Sequence, residues 1–121
     1  MKRVTILFFV LLSAGFVRGD ISREQDPALV NPKTIAVKLD NTRVRVLSAT
    51  LKPGEKEQTH SHPASVAYVI EGGKFRNYAS DGTTSEVELK AGDVFYRDPL
   101  THSAENIGNT TIRLVLVELK N

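Results

Sequence analysis

An all-β domain, an antiparallel sandwich or barrel, is the fold class that this 121-residue sequence predicts. Three observations point there. Apolar and polar residues alternate with period two from Thr34 onward, the pattern of half-buried strands. Clusters of Gly, Asn, Asp and Pro recur about every ten residues, the turn spacing of a sandwich or barrel. No helical period survives beyond the first twenty residues. A chain of this length holds one domain, because domains run to roughly 100–200 residues. Its 40% apolar and 25% charged residues are near the globular averages, which excludes disorder and collagen-like structure.

Met1-Lys2-Arg3 is a basic start, Val4 to Leu12 is apolar except for Thr5, and Ser13 to Gly19 brings in small residues. These are the three zones of a secretory signal peptide, expected over 1–19 with cleavage after Gly19. The apolar stretch is shorter than the about 20 residues of a membrane span. The mature protein is therefore expected to be secreted or periplasmic, with no membrane association after cleavage. Lys2, Arg3 and Arg18 are three of the 16 bases, which leaves 13 against 14 acids. The net charge of +2 thus comes from the leader, and no basic footprint for nucleic acid remains. The chain has no cysteine, which removes disulfides, thiolate metal sites, iron–sulfur clusters and a cysteine nucleophile.

Residues 20–33 hold Pro27 and Pro32 without a sustained period, and are expected to form an exposed, loop-like arm. The barrel domain is expected over 34–121. Ile35, Val37 and Leu39 alternate with polar neighbours as a half-buried strand requires. Val44 and Val46 carry this on, but Leu47, Ala49 and Leu51 have the opposite parity, so a bulge is expected near Val46–Leu47. Lys52-Pro53-Gly54 punctuates. Val66 to Ile70 is a short apolar run, Gly72-Gly73 suits a tight hairpin, and Lys74 to Tyr78 leads back. Ser80-Asp81-Gly82, Ala91-Gly92-Asp93 and Ile107-Gly108-Asn109 mark further turns around the runs at 87–89, 94–97 and 112–119. A barrel of this size has strand edges that need covering. A homodimer is expected, with the arm or the strand Ile112 to Leu119 pairing with a second copy.

The chain has three histidines, His60, His62 and His102, two of them at i, i+2. On a strand that spacing puts both imidazoles on one face about 6–7 Å apart, close enough to converge on one metal ion. His102 is the remaining candidate of that type. If the strand runs on unbroken from His62, Ala64, Val66, Tyr68 and Ile70 point inward as well. Around a two-residue turn Phe75 and Asn77 then share that face. Tyr68, Phe75 and Asn77 are therefore the candidate substrate-pocket residues. Arg43 and Arg45 read as a solvated sheet face, and Arg97 as a residue that could meet an anionic substrate at the barrel mouth. Glu55 and Glu57, just before the histidine pair, could swing in toward it, Glu57 the better placed by parity, but both read as solvent-facing.

Gly54, five residues, His60-Ser61-His62, then Val66 to Gly72, followed by Gly92-Asp93-Val94-Phe95-Tyr96-Arg97-Asp98-Pro99-Leu100-Thr101-His102 and Asn106, resembles the two motifs of the cupin superfamily. The resemblance covers Thr34 to Leu119. It implies a double-stranded β-helix, the jelly-roll barrel, with a metal inside. His60 and His62 match the paired histidines of the first motif, and His102 the lone histidine of the second. The chain departs from the family where a Glu ligand is usual: Val66 or Ala67 stands there. Asp98 replaces a usual proline and Leu100 a glycine, and one residue too few precedes His102.

The resemblance is then to the three-histidine cupins, some of them thiol dioxygenases. It implies one divalent ion, Fe, Mn, Ni, Zn or Cu, with positions left open for water, substrate or O₂. Each imidazole must be neutral to ligate, so metal affinity is expected to fall as pH drops through the ordinary His value of about 6.5. No general acid or base is identifiable. Two functions stay open: a metal-dependent dioxygenase or isomerase acting on a small molecule, or a non-catalytic, even metal-free, module that binds a sugar or other small molecule.

Overall fold

The computed structural model describes residues 25–121, so the expected signal peptide and residues 20–24 of the arm lie outside the described residues. The rest of the arm is not free. Pro27–Val30 forms a four-residue helix, α1, whose N-cap Asp26 accepts from the amides of Ala28 and Leu29. The proline near its start lacks an amide hydrogen that the first helical turn would leave unbonded in any case. Asp26 also forms a bidentate pair with Arg45, with Arg45 Nη2 to Asp26 Oδ1 at 2.8 Å. This ties the arm to the barrel. Arg45, read as a solvated residue, thus has its head group largely covered (side chain 17% exposed) because an acid from the arm closes over it.

Nine strands follow: β1 (Ile35–Asp40), β2 (Val44–Leu51), β3 (His60–His62), β4 (Ser65–Glu71), β5 (Gly73–Ala79), β6 (Thr84–Leu89), β7 (Val94–Arg97), β8 (Leu100–Asn106) and β9 (Ile112–Leu119). One sheet has the order β1-β2-β9-β4-β7 and the other β3-β8-β5-β6, and the pairings between them are antiparallel. The two sheets close face to face into the expected jelly-roll barrel. Leu51, Val69 and Ile112 of the first pack against Leu89 and Ala104 of the second, and Ile35, Leu47, Ala49, Ala67 and Leu116 fill the adjoining core.

Three local expectations are corrected. The bulge lies in β1 rather than β2: Val37 pairs with Leu47 and Leu39 with Val46, so Lys38 is the extra residue, directly across from the predicted place. Of the apolar residues of β1 only Ile35 is buried; Val37 and Leu39 are about half exposed on this edge strand. Second, Gly72-Gly73 is no hairpin turn. β4 belongs to the five-stranded sheet and β5 to the four-stranded one, and neither glycine has positive φ. Gly72 is needed for close approach, because a Cβ there would sit 2.1 Å from the Leu89 carbonyl oxygen.

The third correction concerns strand parity. β3 stops at His62 and β4 starts at Ser65 in the other sheet. Pro63 has no amide hydrogen for the ladder, and the chain crosses between sheets at this point. Parity is reset there. Ser65, Ala67 and Val69 are buried on the inner face, while Tyr68 and Ile70 are each 48% exposed. Tyr68 therefore lies outside the barrel and not in a substrate pocket.

Candidate metal centre

The three histidines come together because β3 and β8 are neighbours in the four-stranded sheet. His60 stands directly opposite His102, and His62 is two residues further along β3. Their inward faces bury all three, at 1%, 3% and 5% exposure. The ring centroids lie 4.8, 4.8 and 5.4 Å apart, and one ligating nitrogen from each lies within 4.8 Å of the others.

Each ring is held by its Nδ1. His60 Nδ1 lies 2.6 Å from the Gln58 carbonyl oxygen. Asn31 buttresses that carbonyl, donating to it from Nδ2 and accepting the Gln58 amide at Oδ1; Nδ2 also lies 3.0 Å from His60 Nδ1, but the shorter contact there is to the carbonyl, which can only accept. His62 Nδ1 lies 2.8 Å from Glu118 Oε2, and His102 Nδ1 lies 2.6 Å from Asn77 Oδ1. An oxygen acceptor at every Nδ1 favours the tautomer with the proton there, leaving the lone pair on Nε2. Phe75 and Asn77 thus share the inner face, but Asn77 touches His102 rather than open cavity.

Two carboxyl groups and one guanidinium complete the surroundings. Glu57, expected to face solvent, is 9% exposed, and its Oε2 sits 3.7 Å from His60 Nε2. Its amide donates to the Ala104 carbonyl, which draws the segment before β3 against β8 and turns the side chain inward. Burial pushes the Glu57 and Glu118 carboxyls up to about 7. Burial, reinforced by the Arg97 charge, lowers the imidazoles: His62 and His102 to about 2, with His60 lowered too. The Glu118–His62 pair is therefore favoured as a neutral pair, in which the Nδ1 proton is donated to the unprotonated oxygen of the carboxyl. The imidazoles also stay neutral far below pH 6.5, so proton competition at the rings moves from the expected near-neutral window into strong acid.

The rings, Glu57 and Arg97 line a cavity of about 50 Å³ whose remaining wall is apolar and includes Phe75 and Phe95. Arg97, Phe75 and Phe95 also line an outer recess of about 400 Å³ that takes in Asn77. Asn106, the retained polar residue of the second motif, is structural: its Nδ2 donates to the Leu51 and Thr110 carbonyls. Glu118 and Asn31 escaped the sequence reading. Glu118 follows the inward parity of Ile112, Leu114 and Leu116, a pattern in which a lone acid is a usable signal. Nothing in the local pattern marks Asn31.

Comparison with known proteins agrees with this architecture. The family model described as "Cupin domain" matches residues 47–118. No curated protein matches. Among solved structures, a cupin domain from Bordetella pertussis Tohama I is 25% identical, with a TM-score of 0.66 over 72% of this chain and 92% of that one. A conserved Klebsiella pneumoniae protein with a double-stranded β-helix domain is 28% identical, with a TM-score of 0.57 over 71% of this chain and 76% of that one. A predicted oxalate decarboxylase from Thermotoga maritima is 26% identical, with a TM-score of 0.50 over 70% of this chain and 78% of that one. With the family model spanning more than half of its length, both histidine motifs included, the chain belongs to the cupin domain family.

Proposed function

We propose that this protein is a secreted, metal-dependent cupin that binds one divalent ion through His60, His62 and His102 and acts on a small molecule. The observation that carries the reading is the oxygen partner at each Nδ1, an arrangement that presents three neutral Nε2 donors to one point. Nitrogen donors of this kind suit Fe, Mn, Ni, Zn or Cu. When bound, the ion supplies Lewis-acid chemistry or, if it is iron, reaction with O₂. The proposed activity is accordingly that of a dioxygenase or isomerase. Glu57, with its carboxyl near 7, can hold or release a proton at neutral pH beside that centre. The kinship with a predicted oxalate decarboxylase supports a small-molecule substrate. The test is metal content after purification under air and under anaerobic conditions. One equivalent of a divalent metal, removable by chelator and restored by reloading, is expected. Metal-free protein that takes up no ion from a stoichiometric solution would favour a metal-free binding module instead.

The proposed assembly is a homodimer. Ile112–Leu119 lies between β2 and β4, so it has no free edge to offer a second copy. The candidate interface is the outer face of the five-stranded sheet. Val46, Val117, Val66 and Tyr96 stand in one row across four strands, beside the row Val115, Tyr68 and Val94. Tyr68, Val94 and Tyr96 are 48–64% exposed. This apolar patch, bordered by the exposed Arg113–Glu71 ion pair, complements itself across a two-fold axis. Sedimentation at tens of micromolar should give a dimer that Tyr96→Lys converts to monomer; a wild-type monomer would remove the proposal.

A further inference from the structure

Arg97 ends β7 with its side chain turned inward, where it lines both the histidine cavity and the outer recess. Its Nε and Nη2 are inaccessible and have no hydrogen-bond partner. No ion pair among the described residues includes it. Two guanidinium donors held out of water without a partner are strongly unfavourable. The two unpartnered donors are also the two on one edge of the group, whose parallel N–H bonds match both oxygens of one carboxylate.

We propose that Arg97 is a specificity-determining residue that receives the carboxylate of a small carboxylic acid, with the rest of that molecule directed toward the three histidines. The inference rests on the metal reading above, which it deepens by naming the substrate class. Three neutral imidazoles leave the charge of a divalent ion uncompensated, Arg97 adds a further positive charge in the same cavity, and Glu57, the one acid lining it, can offset at most one of these three charges. An anion is the ligand that this field selects. The inner cavity of about 50 Å³ admits only a short acid, while the outer recess gives it a way in past Phe75 and Phe95. Arg97 sits where the two spaces meet.

The test uses chelator-treated full-length protein reloaded with Co²⁺, titrated with glycolate and, as the uncharged counterpart, ethylene glycol. Glycolate should bind at least about 100-fold more tightly than ethylene glycol. Arg97→Met should weaken glycolate at least about 30-fold, and Arg97→Lys at least about tenfold, because an ammonium keeps the charge but loses the paired donors. Co²⁺ should stay at one equivalent in both variants and bind Arg97→Met as tightly as wild type or tighter, since a repelling charge is gone. Equal binding of the two probes, or glycolate affinity within about threefold of wild type in both variants, would overturn the proposal. Should wild type take up no Co²⁺, the metal reading fails by itself; acetate binding to the metal-free protein, lost in Arg97→Met, would still support the carboxylate site, and its persistence would overturn it.

Discussion

Replacing His102 by alanine is expected to weaken divalent-metal binding at pH 7 by about a thousandfold, equivalent to about 4 kcal/mol, while the barrel stays folded. Two imidazoles remain, and no carboxylate oxygen joins them in the set of mutually close ligand atoms. The change leaves Asn77 Oδ1 without its ring partner, but Asn77 borders the outer recess and can meet water there. His62→Ala should lose metal to the same degree and cost more stability, because it strands the buried Glu118 carboxyl. Competition against a chromophoric chelator gives the affinity, and circular dichroism reports the fold. A variant that keeps one equivalent at unchanged affinity would place the site elsewhere.

Metal-free protein is expected to lose stability slowly between pH 6.5 and 4.5 and steeply below 4.5. His62 and His102 are held at about 2 in the fold against an ordinary value of 6.5. Their contribution to stability is complete above pH 6.5 and is lost as pH falls, because only the unfolded chain takes up their protons. Glu57 and Glu118, raised from 4.5 to about 7, act in the opposite sense. Their contribution is complete below pH 4.5 and is lost as pH rises through 7. Between 4.5 and 6.5 the protons that His62 and His102 gain in the unfolded chain are offset by the two that Glu57 and Glu118 hold in the fold, which leaves only the contribution of His60, also lowered, to be lost there. Below 4.5 the offset from the carboxyls is gone, and His62 and His102 cost about 1.4 kcal/mol per proton per pH unit, or about 3 kcal/mol per pH unit for the pair, to which His60 and the Arg45-paired Asp26 add in the same direction. Urea midpoints measured across pH 3–8 on chelator-treated protein check this. Rings that titrate normally would add no pH dependence, so stability that rises as pH falls from 7 to 4.5, as the raised carboxyls alone would make it do, would contradict this.

The strand at 112–119, the turns at Gly54, Gly82 and Gly92, and the inward histidine pair were legible because each rests on local chemistry: period-two alternation, positive φ, and i, i+2 spacing. What failed was long-range. Parity counted from His62 reached Tyr68 only by assuming one continuous strand, and the crossing at Pro63 voids that assumption. The same counting placed Phe75 and Asn77 on the inner face by way of a hairpin that does not exist, since β5 pairs with β6 and β8 rather than β4. Charged residues were read by their usual preference for water. Arg45, Glu57 and Glu118 escape that preference through partners and walls supplied by residues far away in the chain: Asp26, the Ala104 carbonyl and His62. Only the fold brings those groups together.

The central claim, that three neutral imidazoles stand ready as one ligand set, is tested most directly by long-range ¹H–¹⁵N spectra of the histidine rings in chelator-treated protein during titration with Zn²⁺. At pH 7 all three rings should be neutral, with the proton on Nδ1 and an unprotonated Nε2. Their Nε2 resonances should shift together and saturate at one equivalent, with every Nδ1 proton retained. A ring that is charged or protonated at Nε2 before metal is added, or an Nε2 resonance unmoved at one equivalent, would contradict the account.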